Sequence, residues 1–200
     1  MRRAKILWLV CVVMAAGMLR TMAVPENDHA VEIIKAARSQ IGVTTGYDPA
    51  YRSMGYPDGD VPESSGVCTD VVIRALRKAI GMDLQKEVHE DMKANFSRYP
   101  TIWGLRKTDR NIDHRRVPNL KTFFTRRKWK QPIPEKPQDY EPGDLVTCTV
   151  PPHLPHIMIV SDRRTEEGRP LVIHNIGQGV REEDRLADFP ITGRYRVPAP

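Results

Sequence analysis

The sequence predicts an α+β fold, with N-terminal helices packed on a small antiparallel sheet. Three observations carry that reading. Up to the tryptophan at position 129, apolar residues recur at helical spacing between Gly and Pro breaks. The Pro-rich connector "QPIPEKPQDYEPGD" then changes the texture, and the apolar runs beyond it are short, β-branched and divided by turn residues, as in a strand meander. The chain has 200 residues, 40% hydrophobic and 28% charged, enough apolar surface for one core and too ordinary a charge content for disorder.

The elements follow in order. "NDHAVEIIKAARSQIG" is expected as a first helix, capped by Asn27 or Asp28, stopped by Gly42 and turning Val31, Ile34, Ala37 and Ile41 inward. "VTTGYDPAYRSMGYPDGDVPESSG" has turn residues and no period, and a loop of that length inside a domain is often functional. A second helix opens near Cys68 with the stripe Val71, Val72, Ala75, Leu76, Ala79 and Ile80, and ends at Gly81. A third starts at Asp83, with Leu84, Val88, Met92 and Phe96 inward. A fourth, "VPNLKTFFTRRKW", has Pro118 in its first turn and buries Leu120, Phe123 and Phe124. Strands are expected in "LVTCTV", "HIMIV", "PLVIHNI" and "GRYRV".

Residues 1–23 differ from the rest. Arg2, Arg3 and Lys5 precede an apolar run from Ile6 to Met18, and Thr21-Met22-Ala23 is a small-x-small end. This is the layout of a signal peptide cleaved near Ala23, and the run is short for a membrane span. The expected organisation is therefore a leader, 1–23, and a single domain, 24–200, exported to the periplasm or medium without lasting membrane insertion. Cys11 lies too early in the run to be a lipid-attachment site. With Arg20, the leader holds four basic residues and no acid, so the formal charge falls from +6 to +2 once it is removed. The basic balance thus owes much to the leader, and nothing else points to nucleic acid. Cys68 and Cys148 remain in a compartment where they could pair with each other.

Cys68 falls in the first helical turn, where free N–H groups and the helix dipole favour a thiolate. A thiolate nucleophile also needs an imidazole as base and acid, and a polar group to orient that imidazole. His156 opens "HIMIV" and His174 closes "LVIH". A hairpin symmetric about Thr165 sets these two histidines directly opposite on one side of the sheet. If the Cys68 helix packs over that side, a Cys68–His156–His174 set forms with a depressed Cys68 pKa, while His153, in the turn, points elsewhere. "DRNIDHRRVPNL" starts like a calcium loop but has His114 and Leu120 where Gly and Glu are needed. Its Asp113–Arg116 stretch reads as a polar loop, solvated or lining a cleft. No metal site, phosphate loop or cofactor motif is expected: Cys68, His156 and His174 could in principle hold zinc, but apart from His153 and His156 flanking a Pro-rich turn the close ligand pairs of zinc sites are missing, and the Gly-rich stretches lack the helix context of a phosphate loop.

"EPGDLVTCTV…HIMIV…LVIHN" is similar to the strand region of the NlpC-type cysteine peptidases of bacterial cell walls, a papain-like fold. That resemblance implies Cys68 as nucleophile, His156 as base and His174 as the orienting third residue, with Asn175 as its stand-in. It also implies a stem-peptide contact for Tyr56, twelve residues before the cysteine, to which we add Asp70 and His114 as substrate contacts. The nucleophile motif departs from the family, Val-Cys-Thr-Asp in place of Asp-Cys-Ser-Gly, the Gly-Gly after the Tyr is absent, and His89–Lys130 is longer than a minimal member needs. The chain looks like a divergent branch, the secreted YijF-like group of bacterial proteins of unknown function. The expected activity is hydrolysis of amide bonds, as an endopeptidase or amidase, with peptidoglycan or its stem peptides as partner and no cofactor. The alternative is a non-catalytic cell-wall-binding or periplasmic structural domain on the same scaffold. Related lipid or ester hydrolases that are permuted carry the His before the Cys, the reverse of the order here.

Overall fold

The computed structural model describes residues 28–199. The leader expected over residues 1–23, and Asn27 as a cap, lie outside the described residues. Four helices, α1 (Asp28–Arg38), α2 (Cys68–Ile80), α3 (Leu84–Ala94) and α4 (Val117–Arg126), precede most of the sheet. The two-residue strands β1 (Gly46–Tyr47) and β2 (Ser65–Gly66) pair in parallel inside the long loop. The main sheet comprises β3 (Lys130–Gln131), β4 (Leu145–Val150), β5 (Leu154–Arg164), β6 (Pro170–Asn175), β7 (Val180–Glu183) and β8 (Ile191–Tyr195). Its order is β3-β8-β4-β5-β6-β7, antiparallel throughout, so the protein is mixed α+β.

Two apolar layers hold it together. On the helix side, Ile33, Ile34, Val72, Leu76, Leu120 and Phe124 bury against Leu145, Ile157, Ile159 and Ile173. The other side of the sheet carries Val146, Cys148, Met158, Val160 and Val172 under Tyr140 and Leu186. The first helix departs from its expected stripe. It ends at Arg38, and Ile33, Ile34, Ala36 and Ala37 are inward while Val31 and Ile41 are exposed. α2, by contrast, runs as its stripe dictates and stops where Gly81 takes a left-handed φ of 67° and returns its N–H to Arg77 O and Leu76 O.

The β5–β6 register is a correction. Ile159 pairs with Ile173 and Val160 with Val172, two residues from the register symmetric about Thr165, and a further shift lies between Val160 and Arg164. Because side chains alternate with period two, a two-residue slip keeps His156 and His174 on one side and makes them diagonal neighbours. The same alternation puts that side away from α2: His156 pairs with Cys148, in the second layer. The Cys68 helix does not lie over the histidine face, as expected from sequence; Cys68 packs with Ile157 and Ile159 in the first layer.

Candidate active site

Cys68 is the first residue of α2 and is 6% exposed. The turn that precedes it is fixed by Asp70, whose carboxylate accepts the Val67 N–H at 2.6 Å. Asp70 also takes two 2.9 Å hydrogen bonds from the Arg115 guanidinium, and both side chains are buried. Arg115 donates onward to Asp48 O and Ala50 O, tying the long loop to the start of α2. From the other side Asn175 donates to Gly46 O and Gly66 O at 3.0 Å each. These clamps hold β1, and with it Tyr47, beside the cysteine.

The β5–β6 ladder ends at Ile159–Ile173, and the Ile157 N–H points at the Cys68 thiol. Cys68 therefore meets β5 one residue along from His156. The imidazoles form a relay: His156 Nε2 lies 2.7 Å from His174 Nδ1, and His174 Nε2 lies 3.0 Å from Glu183 Oε1. A carboxylate only accepts, so it draws the proton of His174 to Nε2. His174 Nδ1 is then an acceptor, His156 donates through Nε2–H, and the lone pair of His156 is left on Nδ1. Among the described residues no hydrogen bond is made to that nitrogen, and none joins it to the Cys68 sulfur.

The electrostatics of the resting site reverse one expectation. Burial raises the Cys68 pKa to about 11, outweighing the Ile157, Thr69 and Cys68 N–H groups that favour the thiolate. Burial, then His174 and Arg185, lowers His156 to about 3, and burial lowers His174 against the pull of Glu183. The pair thus rests as neutral thiol and neutral imidazole. Cys148 is also a free thiol, raised to about 12 by burial and then by Cys68.

A cleft of about 230 Å³ opens on Cys68, lined among others by Tyr47, Trp103, Arg115, Arg116, Pro118 and Pro155. The three residues expected there as substrate contacts lie elsewhere. Tyr56 packs edge-on to His89 with its centroid 5.3 Å away and Arg110 over its ring. His114 is buried, its pKa lowered to about 4 by burial and by Arg115. Asp70 faces Arg115 as described. Asn175 anchors the loop and, among the described residues, makes no hydrogen bond to either imidazole, and His153 is exposed in the β4–β5 turn. Two residues were missed: Tyr47, hidden in an aperiodic loop, and Glu183, in a strand of polar residues with no apolar run to mark it.

The arrangement defines an α+β protein with a buried cysteine at a helix start and a strand-borne His–His–Glu relay on the other side of the sheet. Residues 34–197 match the family described as "Domain of unknown function (DUF1287)", and the chain belongs to that family. It is 54% identical over 164 residues to "Uncharacterized protein YijF" of Escherichia coli (strain K12), covering 82% of this chain and 80% of that protein. Among solved structures it is similar to NlpC1 from Trichomonas vaginalis, with a TM-score of 0.43 and 15% identity over 86% of this chain. It spans 44% of the NlpC1 chain, less than half its length.

Proposed function

We propose that this protein is an exported cysteine hydrolase of amide bonds, acting on peptidoglycan stem peptides as an endopeptidase or amidase, with a papain-like, NlpC-type arrangement. The observation that carries the reading is the relay: His156, held at 2.7 Å by His174, keeps one ring nitrogen free of hydrogen bonds, one residue along β5 from Ile157, whose N–H meets the helix-start thiol. Cys68 attacks the substrate carbonyl as His156 Nδ1 takes the thiol proton. The C–S bond forms, and the oxyanion is met by the Cys68 backbone N–H at the start of α2. His156 returns the proton to the leaving nitrogen as the C–N bond breaks. Water, deprotonated by the same imidazole, then hydrolyses the thioester and restores the thiol. Proton transfer accompanies attack, because the resting pair is neutral. His174 and Glu183 are positioning residues. The basic-apolar-small layout of residues 1–23 supports export.

One observation favours the non-catalytic wall-binding alternative: at rest the histidines lie on the side of the sheet away from α2, and the neutral thiol makes no hydrogen bond to His156. Catalytic contacts often tighten only with substrate bound. Mature protein is incubated with peptidoglycan, wild type beside Cys68→Ala, and soluble muropeptides are read by mass spectrometry. New fragments from the wild type alone support hydrolysis. Binding without fragments in either supports the alternative.

A further inference from the structure

The cleft over Cys68 has apolar walls and two guanidinium groups. Arg115 is committed, with two hydrogen bonds to Asp70 and one each to Asp48 O and Ala50 O. Arg116 is not. Its guanidinium carbon sits 4.2 Å from the centroid of the Trp103 ring, a cation–π seat. Its side chain makes one hydrogen bond among the described residues, from Nη1 to Asp113 Oδ1, at a long 3.4 Å. The Asp113 carboxylate is also turned toward the Asp109 N–H. The Arg116 side chain is 19% exposed, and among the described residues its remaining N–H donors have no protein acceptor and stay open to a ligand.

A planar cation over an indole, with donors unmatched by protein acceptors in an apolar-walled cleft, suits one chemical class of ligand. A carboxylate accepts two parallel N–H bonds from a guanidinium, and partial desolvation strengthens that pairing. We propose that Arg116, seated on Trp103, binds a carboxylate of the substrate close to the bond that Cys68 attacks, so that the cleft selects acidic peptides. This rests on Cys68 being the nucleophile. Tyr47 and Pro155 are among the apolar walls of the same cleft, and Arg116 supplies the charge selection.

Two alkylating agents of nearly equal size isolate the charge. With iodoacetate or iodoacetamide, the Cys68 thiolate displaces iodide: a C–S bond forms, the C–I bond breaks, and iodide leaves with the electron pair. The agents differ in bearing a carboxylate or a neutral amide. Rates at Cys68 are followed by peptide mapping at one alkaline pH, beside a free cysteine peptide. The ratio of iodoacetate to iodoacetamide rates should exceed the peptide's by about fivefold to tenfold. Arg116→Gln should return the ratio to the peptide value, the ratio within each variant cancelling any change in its thiolate fraction. Arg116→Lys and Trp103→Leu should give intermediate ratios, and they carry the comparison if Arg116→Gln does not fold. A wild-type ratio no higher than the peptide's, or one unmoved by all three variants, would overturn the proposal. Because the readout needs no turnover, a charge preference at Cys68 together with muropeptide release unaffected by Cys68→Ala would sink the hydrolase reading and leave the carboxylate site standing.

Discussion

At the scale of single residues, the account depends on which nitrogen holds which proton. Glu183 fixes His174, and His174 fixes His156. Replacing Glu183 by Gln keeps an acceptor, so ¹⁵N shifts of the imidazoles should still report protons on both Nε2 atoms. Glu183→Lys puts a donor there and should invert the relay, moving the His156 proton to Nδ1 and lowering turnover by about a hundredfold or more while Cys68 stays alkylatable. Unchanged imidazole shifts in Glu183→Lys would mean that the relay does not set the tautomers. Cys68 makes its own prediction. With a pKa near 11, its alkylation rate should climb through pH 8 to 10 without the neutral-pH plateau of a preformed thiolate. A plateau below pH 7 would show that the free protein holds an ion pair.

The elements explain what could be read from sequence and what could not. α2 and α4 were legible because unbroken apolar stripes and their end residues, Gly81 and Pro118, leave one helical reading. Of the strands from Leu145 onward, β4, β5, β6 and β8 were legible as short apolar runs and the polar β7 was not, and their pairing was not legible either. The shift between Val160 and Arg164 falls among Ser161, Asp162 and Arg163, where no hydrophobic pattern pins the register. The histidines met regardless, because a slip of two residues preserves the side of the sheet. Tyr56 was chosen by its spacing to the cysteine, whereas the β1–β2 pairing brings Tyr47 there, a tertiary arrangement with no local signal. The clamp at the start of α2 is testable in the same terms. Asp70→Ala strands the Arg115 guanidinium in a buried site and should cost about 3–5 kcal/mol, measured by urea unfolding. Asn175→Ala should cost less overall but free the Tyr47 loop, seen as faster amide exchange at Gly46 and Tyr47. An Asp70→Ala midpoint equal to wild type would remove the clamp from the account.

For the whole molecule, buried neutral histidines tie stability to pH. His156 and His114 have folded pKa values near 3 and 4, below the ordinary 6.5, because burial disfavours their charged forms. The unfolded chain therefore binds more protons between those values, and stability rises with pH across that window. Their contribution is fully present above about pH 6.5 and falls away as the medium acidifies toward pH 3. For His156 alone the loss is about 2 kcal/mol at pH 5. His156→Gln should flatten the acid limb of a stability–pH curve, and an unchanged limb would contradict burial of the neutral ring.

The central claim is that Cys68 forms a covalent acyl-enzyme with its substrate. The most direct measurement is intact-protein and peptide mass spectrometry of a rapidly quenched single turnover on purified muropeptides. The account predicts a mass increment equal to the acyl fragment, mapped to Cys68, appearing before product and then decaying. It predicts no increment in Cys68→Ala, and far slower formation in His156→Ala. Product released at the wild-type rate by Cys68→Ala, or an adduct mapped to another residue, would contradict it.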